Sequence, residues 1–233
     1  MRESGGPLIA GVDEVGRGSL AGPVVACAIV MPPDARAIAG VNDSKQLTAA
    51  QRVRLLDRIR ERALAIGLGA ASVREIDRIN IYHATVLAMR RALAHLSLAP
   101  DHVLVDGRRI RTLPVPHTAV VGGDARCFSI ACASIVAKVT RDRLMRALGA
   151  RHPGYRWEQN AGYGTAAHWS GIGAIGASRH HRRAFLAGRQ QLELALDAPL
   201  DPVLDPTLDR VLDPTLAALG ISDAFTLDNL EPR

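Results

Sequence analysis

Two apolar runs flank a polar, glycine-rich turn near the start of the chain. Residues 7–13 (PLIAGVD) and 23–31 (PVVACAIVM) both have the length and character of strands. The period then changes. Thr48 to Gln51 (TAAQ) reads as a capping box, which predicts a helix from about Ala49 to about Ala65, and Ser72 to Glu75 (SVRE) repeats the signal. Val86, Met89, Leu93 and Leu96 recur at helical spacing and stripe one face of a long helix. Two short strands follow, HVLVDG ending at Asp106 and TAVVGGD ending at Asp124. After them CFSIACASIVAKVTRDRLMRALG, rich in small and apolar residues, predicts a core helix ending at Gly149. Strands first, then helices alternating with further strands, indicate a mixed α/β sheet covered by helices.

The pattern breaks at Asp197, where DAPL-DPVL-DPTL-DRVL-DPTL begins. Leucine every fourth residue would stripe a helix, but Pro199, Pro202, Pro206 and Pro214 remove donors and clash with preceding carbonyls. The segment reads as an extended or disordered acidic extension. Charge divides at the same place. Residues 193–233 hold nine acidic side chains and two arginines, a net of −7, so residues 1–192 carry +13 of the overall +6. A basic body fits a polyanionic partner, nucleic acid being the commonest. Of 29 basic residues only Lys45 and Lys138 are lysine, either by chance or because a compact ammonium is needed where a guanidinium fork does not fit. Cys27, Cys127 and Cys132 form no C-x-x-C pair and read as reduced, buried residues of a cytoplasmic protein. No apolar run has the length of a membrane span, and the first residues, MRESGGPLIAG, lack a secretory pattern.

The candidate chemistry is acidic. Asp13, Asp106 and Asp124 are each expected at the end of an apolar strand, and Glu14 follows Asp13. Strand ends in an open α/β sheet are where distant residues converge. Four converging carboxylates repel one another, and a hard divalent cation relieves them. Oxygen-only ligation favours Mg²⁺ or Mn²⁺ and suits metal-assisted phosphoryl transfer. Each residue alone has a plainer reading, since Asp-Gly and Gly-Gly-Asp are common turns. A regular strand would also point Asp13 and Glu14 to opposite faces, so the chain is expected to bend at Glu14.

The stretch GVDEVGRGSLAGPVVACAIV (11–30) resembles the first motif of type 2 ribonuclease H, ribonuclease HII. The likeness continues in order through NDSKQLT (42–48), IDRINIYHATVLAMRRAL (76–93), VDG (105–107) and GGDARCFSIACASIVAKVTRDRLM (122–145). It extends through HPGYRWEQNAGYGTAAH (152–168) and HRRAF (181–185), covering roughly residues 8–186. The resemblance implies a ribonuclease-H-like mixed sheet flanked by helices, with a helical C-terminal part. Residues 1–192 would form the catalytic domain and 193–233 the tail. Asp13, Glu14, Asp106 and Asp124 would be the catalytic, metal-binding set for Mn²⁺ or Mg²⁺ in a two-metal hydrolysis. Substrates would be RNA–DNA hybrids and single ribonucleotides embedded in duplex DNA, cut to leave 5′-phosphate and 3′-hydroxyl ends, with a role in removing misincorporated ribonucleotides. The family looks monomeric.

Under that resemblance the glycine–arginine–glycine stretch acquires a purpose. Gly16 and Gly18, without Cβ atoms, let the backbone approach the sugar whose 2′-hydroxyl marks RNA, and Arg17 offers a charged fork. Tyr163 of GYGT would pack on the next sugar and read the RNA-to-DNA junction. Lys45 would contact a phosphate near the cut. The basic cluster RHHRR (179–183) fits either a duplex-gripping or a solvated face. The sequence departs from the usual pattern at Val15, Ser19 and Ala184, and QNAGYGT lacks the usual basic residue before Gly-Tyr; none of these touches the acidic set. Two rivals stand beside this reading. A hybrid-binding protein without catalysis would be expected to lack at least one of the acids, and a DNA-only nuclease would leave the Gly-Arg-Gly stretch and Tyr163 unexplained.

Overall fold

A computed structural model describes residues 6–41, 44 and 47–187. Lys45 and the tail 193–233 lie outside the described residues. The described residues fold as two compact units, the first drawn from 6–17 and 23–139, the second from 18–22 and 140–187.

The first unit is built on a five-stranded mixed sheet: β1 (Ile9–Val15), β2 (Val24–Val30), β3 (Ala65–Ala71), β4 (His102–Asp106) and β5 (His117–Val120), in the order β3-β2-β1-β4-β5. β1, β2 and β3 are antiparallel neighbours, whereas β4 runs parallel to both β1 and β5. Every residue of β2 is buried, which explains its unbroken apolar run. The expected helix after residue 48 is α1 (Ala49–Arg62), with the capping box of Thr48 and Gln51 formed as predicted. It stops three residues short because Ala65 already belongs to β3, a strand the apolar pattern does not announce. AIGLGAA is poor in β-branched residues for a packing reason. A Cβ on Gly67 or Gly69 would collide with the backbone carbonyls of Ala92 or Ala88. Those residues lie in α2 (Val73–Ala94), so glycine lets helix and strand close to backbone contact.

α2 also begins with its predicted box, Ser72 with Glu75. Its apolar stripe is shorter than expected: Val86 and Met89 are buried, but Leu96 lies beyond the helix end. The helix breaks at Asn80 (φ 65°), whose side-chain oxygen accepts from the Tyr82 and His83 amides and restarts it. α3 (Gly123–Arg126) is one turn, and α4 (Phe128–Arg151) is the predicted core helix, ending two residues later than expected. The second unit adds α5 (Trp157–Asn160), α6 (Ala166–Ile175) and α7 (Arg183–Leu186). No helix among the described residues is long and apolar enough to cross a membrane.

Candidate active site

The parallel strands gather the acids at one edge. β1 and β4 are in register through Val12 and Val105, so the next residues, Asp13 and Asp106, leave the ladder side by side. β5 pairs Val120 with Asp106, and from there the chain turns through Gly122 (φ 64°) into α3. Two expectations need correction. Asp13 does not end its strand: β1 continues regularly to Val15, with Asp13 opposite Cys27 and Glu14 opposite Ala26. The turn comes at Gly16 (φ 90°), not at Glu14, because the antiparallel ladder with β2 holds both acids straight. Asp124 does not end a strand either. β5 stops at Val120, and Asp124 rides the first turn of α3, nearly buried.

That helical turn is fastened to the neighbouring acid. The Gly123 amide donates to Asp106 Oδ1 at 2.7 Å, which places Asp124 one residue from that contact. Asp13 is almost fully buried. Its Oδ1 accepts from the Glu14 amide at 2.7 Å, and the Ser134 hydroxyl of α4 hydrogen-bonds to it. Ser134 is in turn 2.8 Å from the Ser44 hydroxyl. Neither serine stands out in the sequence; the only signal is that Ser134 lies in a run of small residues, ACAS, where a hydroxyl can approach closely.

Electrostatics mark this edge as strained. Burial, then the charge of Glu14, then that of Asp106 hold the Asp13 carboxyl well above the usual carboxylate range, although Ser134 and the Glu14 amide oppose the shift. Glu14 is also raised, chiefly by burial and in part by Asp106, against the pull of Arg17, whose guanidinium lies 3.2 Å from Glu14 Oε1. Three carboxylates therefore feel one another in a poorly solvated place, the chemistry a hard divalent cation neutralises. As they stand, no three acidic, histidine or cysteine side chains among the described residues are arranged to hold a metal ion. The residue types fit a hard divalent cation, although the described side chains do not form such a group. One oxygen of Asp106 is engaged by the Gly123 amide.

The glycines around Arg17 differ. Gly16 is required by its backbone conformation. At Gly18 an added Cβ would meet nothing within 4 Å, so the fold does not demand glycine there.

The second unit carries Tyr163, exposed at 37%. Its loop is held tightly. The Asn160 side chain donates to Tyr155 O and accepts from the Gly162 amide, while the Tyr163 carbonyl bonds His168 Nδ1 at 2.9 Å. The glycines on either side are structural: a Cβ on Gly162 would press on the Ala21 carbonyl, and one on Gly164 on Leu20 and Trp169. They carry no functional signal. The signal is the ring's exposure above the buried Arg141, whose Cζ lies 5.6 Å from the ring centroid. Arg141 donates to Ala161 O and Ala21 O, and burial lowers its pKa to about 10, leaving it charged at neutral pH. RHHRR is neither a gripping nor a solvated face as a whole. His180, His181 and Arg182 are buried, with Arg182 donating twice to the Gly22 carbonyl.

The chain is similar to known proteins over most of its length. A family profile described as Ribonuclease HII matches residues 10–186. A Ribonuclease HII from Granulibacter bethesdensis is 54% identical over 201 residues, covering 84% of this chain and 91% of the relative. One from Thermosynechococcus vestitus is 53% identical over 186 residues, 79% and 86% of the two chains. Among solved structures, ribonuclease H2 from Pyrococcus horikoshii OT3 superposes with a TM-score of 0.66 at 25% identity, covering 82% of this chain and 99% of that one.

Proposed function

This chain belongs to the ribonuclease HII family, and from that premise we propose that it cuts DNA duplexes at single embedded ribonucleotides as well as the RNA strand of RNA–DNA hybrids, with Mg²⁺ or Mn²⁺ held by Asp13, Glu14, Asp106 and Asp124. Activity as an endoribonuclease on RNA–DNA hybrids follows from the family itself. The observation that carries the finer reading is the buried Asp13, raised by Glu14 and Asp106 at the edge where β1 and β4 run parallel. Bound divalent ions would supply charge neutralisation and an activated water for phosphodiester hydrolysis. The protein's own residues then do the rest. Ser134 and the Glu14 amide orient Asp13, and Gly123 orients Asp106. Arg17 stands beside Glu14 as the fork for a phosphate or sugar hydroxyl, with Gly16 and Gly18 keeping the backbone bare for the sugar. Lys45, next to the anchored Ser44, is proposed as a further phosphate contact. Tyr163 is proposed to pack on the sugar that follows the ribonucleotide.

The test is duplex DNA containing one ribonucleotide, incubated with and without Mg²⁺ or Mn²⁺, with the product ends mapped. Cleavage only with metal, leaving 5′-phosphate and 3′-hydroxyl ends, is the expected result; no cleavage with either ion refutes the embedded-ribonucleotide reading. Tyr163→Ala should reduce this reaction more than cleavage of a long hybrid, and an equal loss on both substrates would reduce Tyr163 to packing.

Gly18 offers a sharper check. Because its Cβ site is open, Gly18→Ala is expected to melt with the parent protein yet lose at least about tenfold in kcat/KM, the cost of about 1.4 kcal/mol of misplaced substrate. Unchanged kcat/KM in a folded variant would remove the close-approach role of this glycine.

A further inference from the structure

The loop joining β4 to β5 contains three arginines in four residues, Arg108, Arg109 and Arg111, all exposed. It leaves β4 at Asp106 and returns at His117. Surface arginines are commonly solvated and mobile, but this loop is built to stay in place. Gly107 (φ 87°) donates its amide to Val120 O, and the Leu113 amide closes a turn onto Ile110 O. Leu113 is buried as an anchor. The Ile110 amide donates to His117 Nε2, which leaves the His117 Nδ1 hydrogen to bond Val115 O at 2.8 Å. Thr112 donates to the Tyr82 hydroxyl of α2 at 3.2 Å. The backbone is tied at both ends and in the middle while the three guanidiniums point into solvent, and no hydrogen bond or ion pair engages them among the described residues.

Their place gives the cluster its meaning. The three lie two to five residues past Asp106, at most about 7 to 18 Å of extended chain. Substrate bound there carries a phosphate on every nucleotide of two strands. A fixed row of cations beside a negatively charged centre offsets the repulsion between that centre and the incoming backbone, and reads no sequence.

We propose that the Arg108–Arg111 loop is a backbone-docking surface for the substrate duplex, contacting phosphates that flank the cut. The inference rests on the hybrid-cleaving function above and adds to it a surface outside the acidic set, the glycine–arginine–glycine stretch and Tyr163. It makes a quantitative demand: each phosphate neutralised by an arginine releases counterions, contributing about 0.9 to the slope of log affinity against log salt.

The experiment measures binding of a fluorescent RNA–DNA hybrid to the full-length protein in EDTA, where no cleavage occurs, across a salt series. Arg108→Ala/Arg109→Ala/Arg111→Ala is compared with the wild type and with Arg36→Ala/Arg54→Ala/Arg62→Ala. The latter removes the same charge from exposed positions in α1 and the segment before it. The loop variant is expected to lose about 2 to 3 from the slope and to bind at least tenfold more weakly at moderate salt, while the control keeps the wild-type slope. Circular dichroism melts confirm that both variants are folded. An unchanged slope in a folded loop variant, or an equal loss in the control, overturns the proposal. Failure of the wild type to bind or cleave the hybrid would instead overturn the underlying function, so the two failures are told apart.

Discussion

Asp13→Asn is expected to abolish hybrid cleavage while making the metal-free protein more stable at neutral pH. Both halves come from one observation: Asp13 is a buried carboxylate raised by desolvation and by two acidic neighbours. In the folded chain it holds its proton to a higher pH than in the unfolded chain. As pH rises from the ordinary carboxylate range through the folded value, the unfolded chain releases this proton first, and stability is lost over that interval. Glu14 is raised too and contributes with the same sign. Asparagine keeps the shape and has no proton to lose, so the variant should lack the Asp13 part of that decline. Denaturant midpoints in EDTA at several pH values measure it, and parallel curves for the two proteins would contradict it. Mn²⁺ should then stabilise the wild type more than the variant. The loss of activity should be at least about 10³-fold, since metal-assisted charge stabilisation amounts to several kcal/mol and each tenfold in rate corresponds to about 1.36 kcal/mol. Near-normal turnover would remove Asp13 from the catalytic set.

Acid is expected to unfold the second unit through a different group. His168 Nε2 accepts from the Trp157 indole at 2.9 Å and is also 3.0 Å from His181 Nε2. An acceptor there carries no hydrogen, so His168 Nδ1–H must donate to the Tyr163 carbonyl and His181 Nε2–H must donate to His168. His181 Nδ1 is then left to accept from the Ser178 amide at 2.9 Å. Every ring nitrogen of this pair is committed in the neutral form, and His152 and His180 pack close by. Burial first, then the neighbouring His168, push the His181 pKa down to about 3, and burial lowers His168 as well. Below its ordinary value near 6.5 the unfolded chain takes up a proton that the folded chain refuses, so stability falls as pH drops from about 6.5 towards 3. For His181 alone the loss is on the order of 3 kcal/mol by pH 4.5, at about 1.36 kcal/mol for each pH unit. Both tryptophans, Trp157 and Trp169, lie in the second unit. Their fluorescence during denaturant unfolding at pH 7 and 4.5 therefore reports this unit without the opposite-signed contribution of Asp13. Equal midpoints at the two pH values would contradict the assignment. The same network holds the Tyr163 carbonyl, so loss of embedded-ribonucleotide cleavage should accompany the transition.

Local chemistry that depends on near neighbours was legible in the chain. Both capping boxes, the buried β2 run and the long α4 follow from side chains within a few residues of one another. The ordered family motifs pointed to the candidate acids. What the sequence could not show depended on distant contacts. Gly67 and Gly69 look like strand breakers until the Ala88 and Ala92 carbonyls are seen against them. Asp13 and Glu14 looked as though they needed a bend, but pairing with Cys27 and Ala26 keeps their strand straight to Val15. RHHRR looked like a charged surface, yet Arg182 is buried against a carbonyl 160 residues away.

By itself the sequence determined the family to which the chain belongs, and where helices start, because motifs, caps and apolar periods are local properties. Only the tertiary structure decided which acids stand together. Parallel pairing sets Asp13 beside Asp106, Gly123 fastens the Asp124 turn to Asp106, and burial among those charges raises Asp13. Register and desolvation are properties of neighbours in space, and a linear order of residues does not contain them.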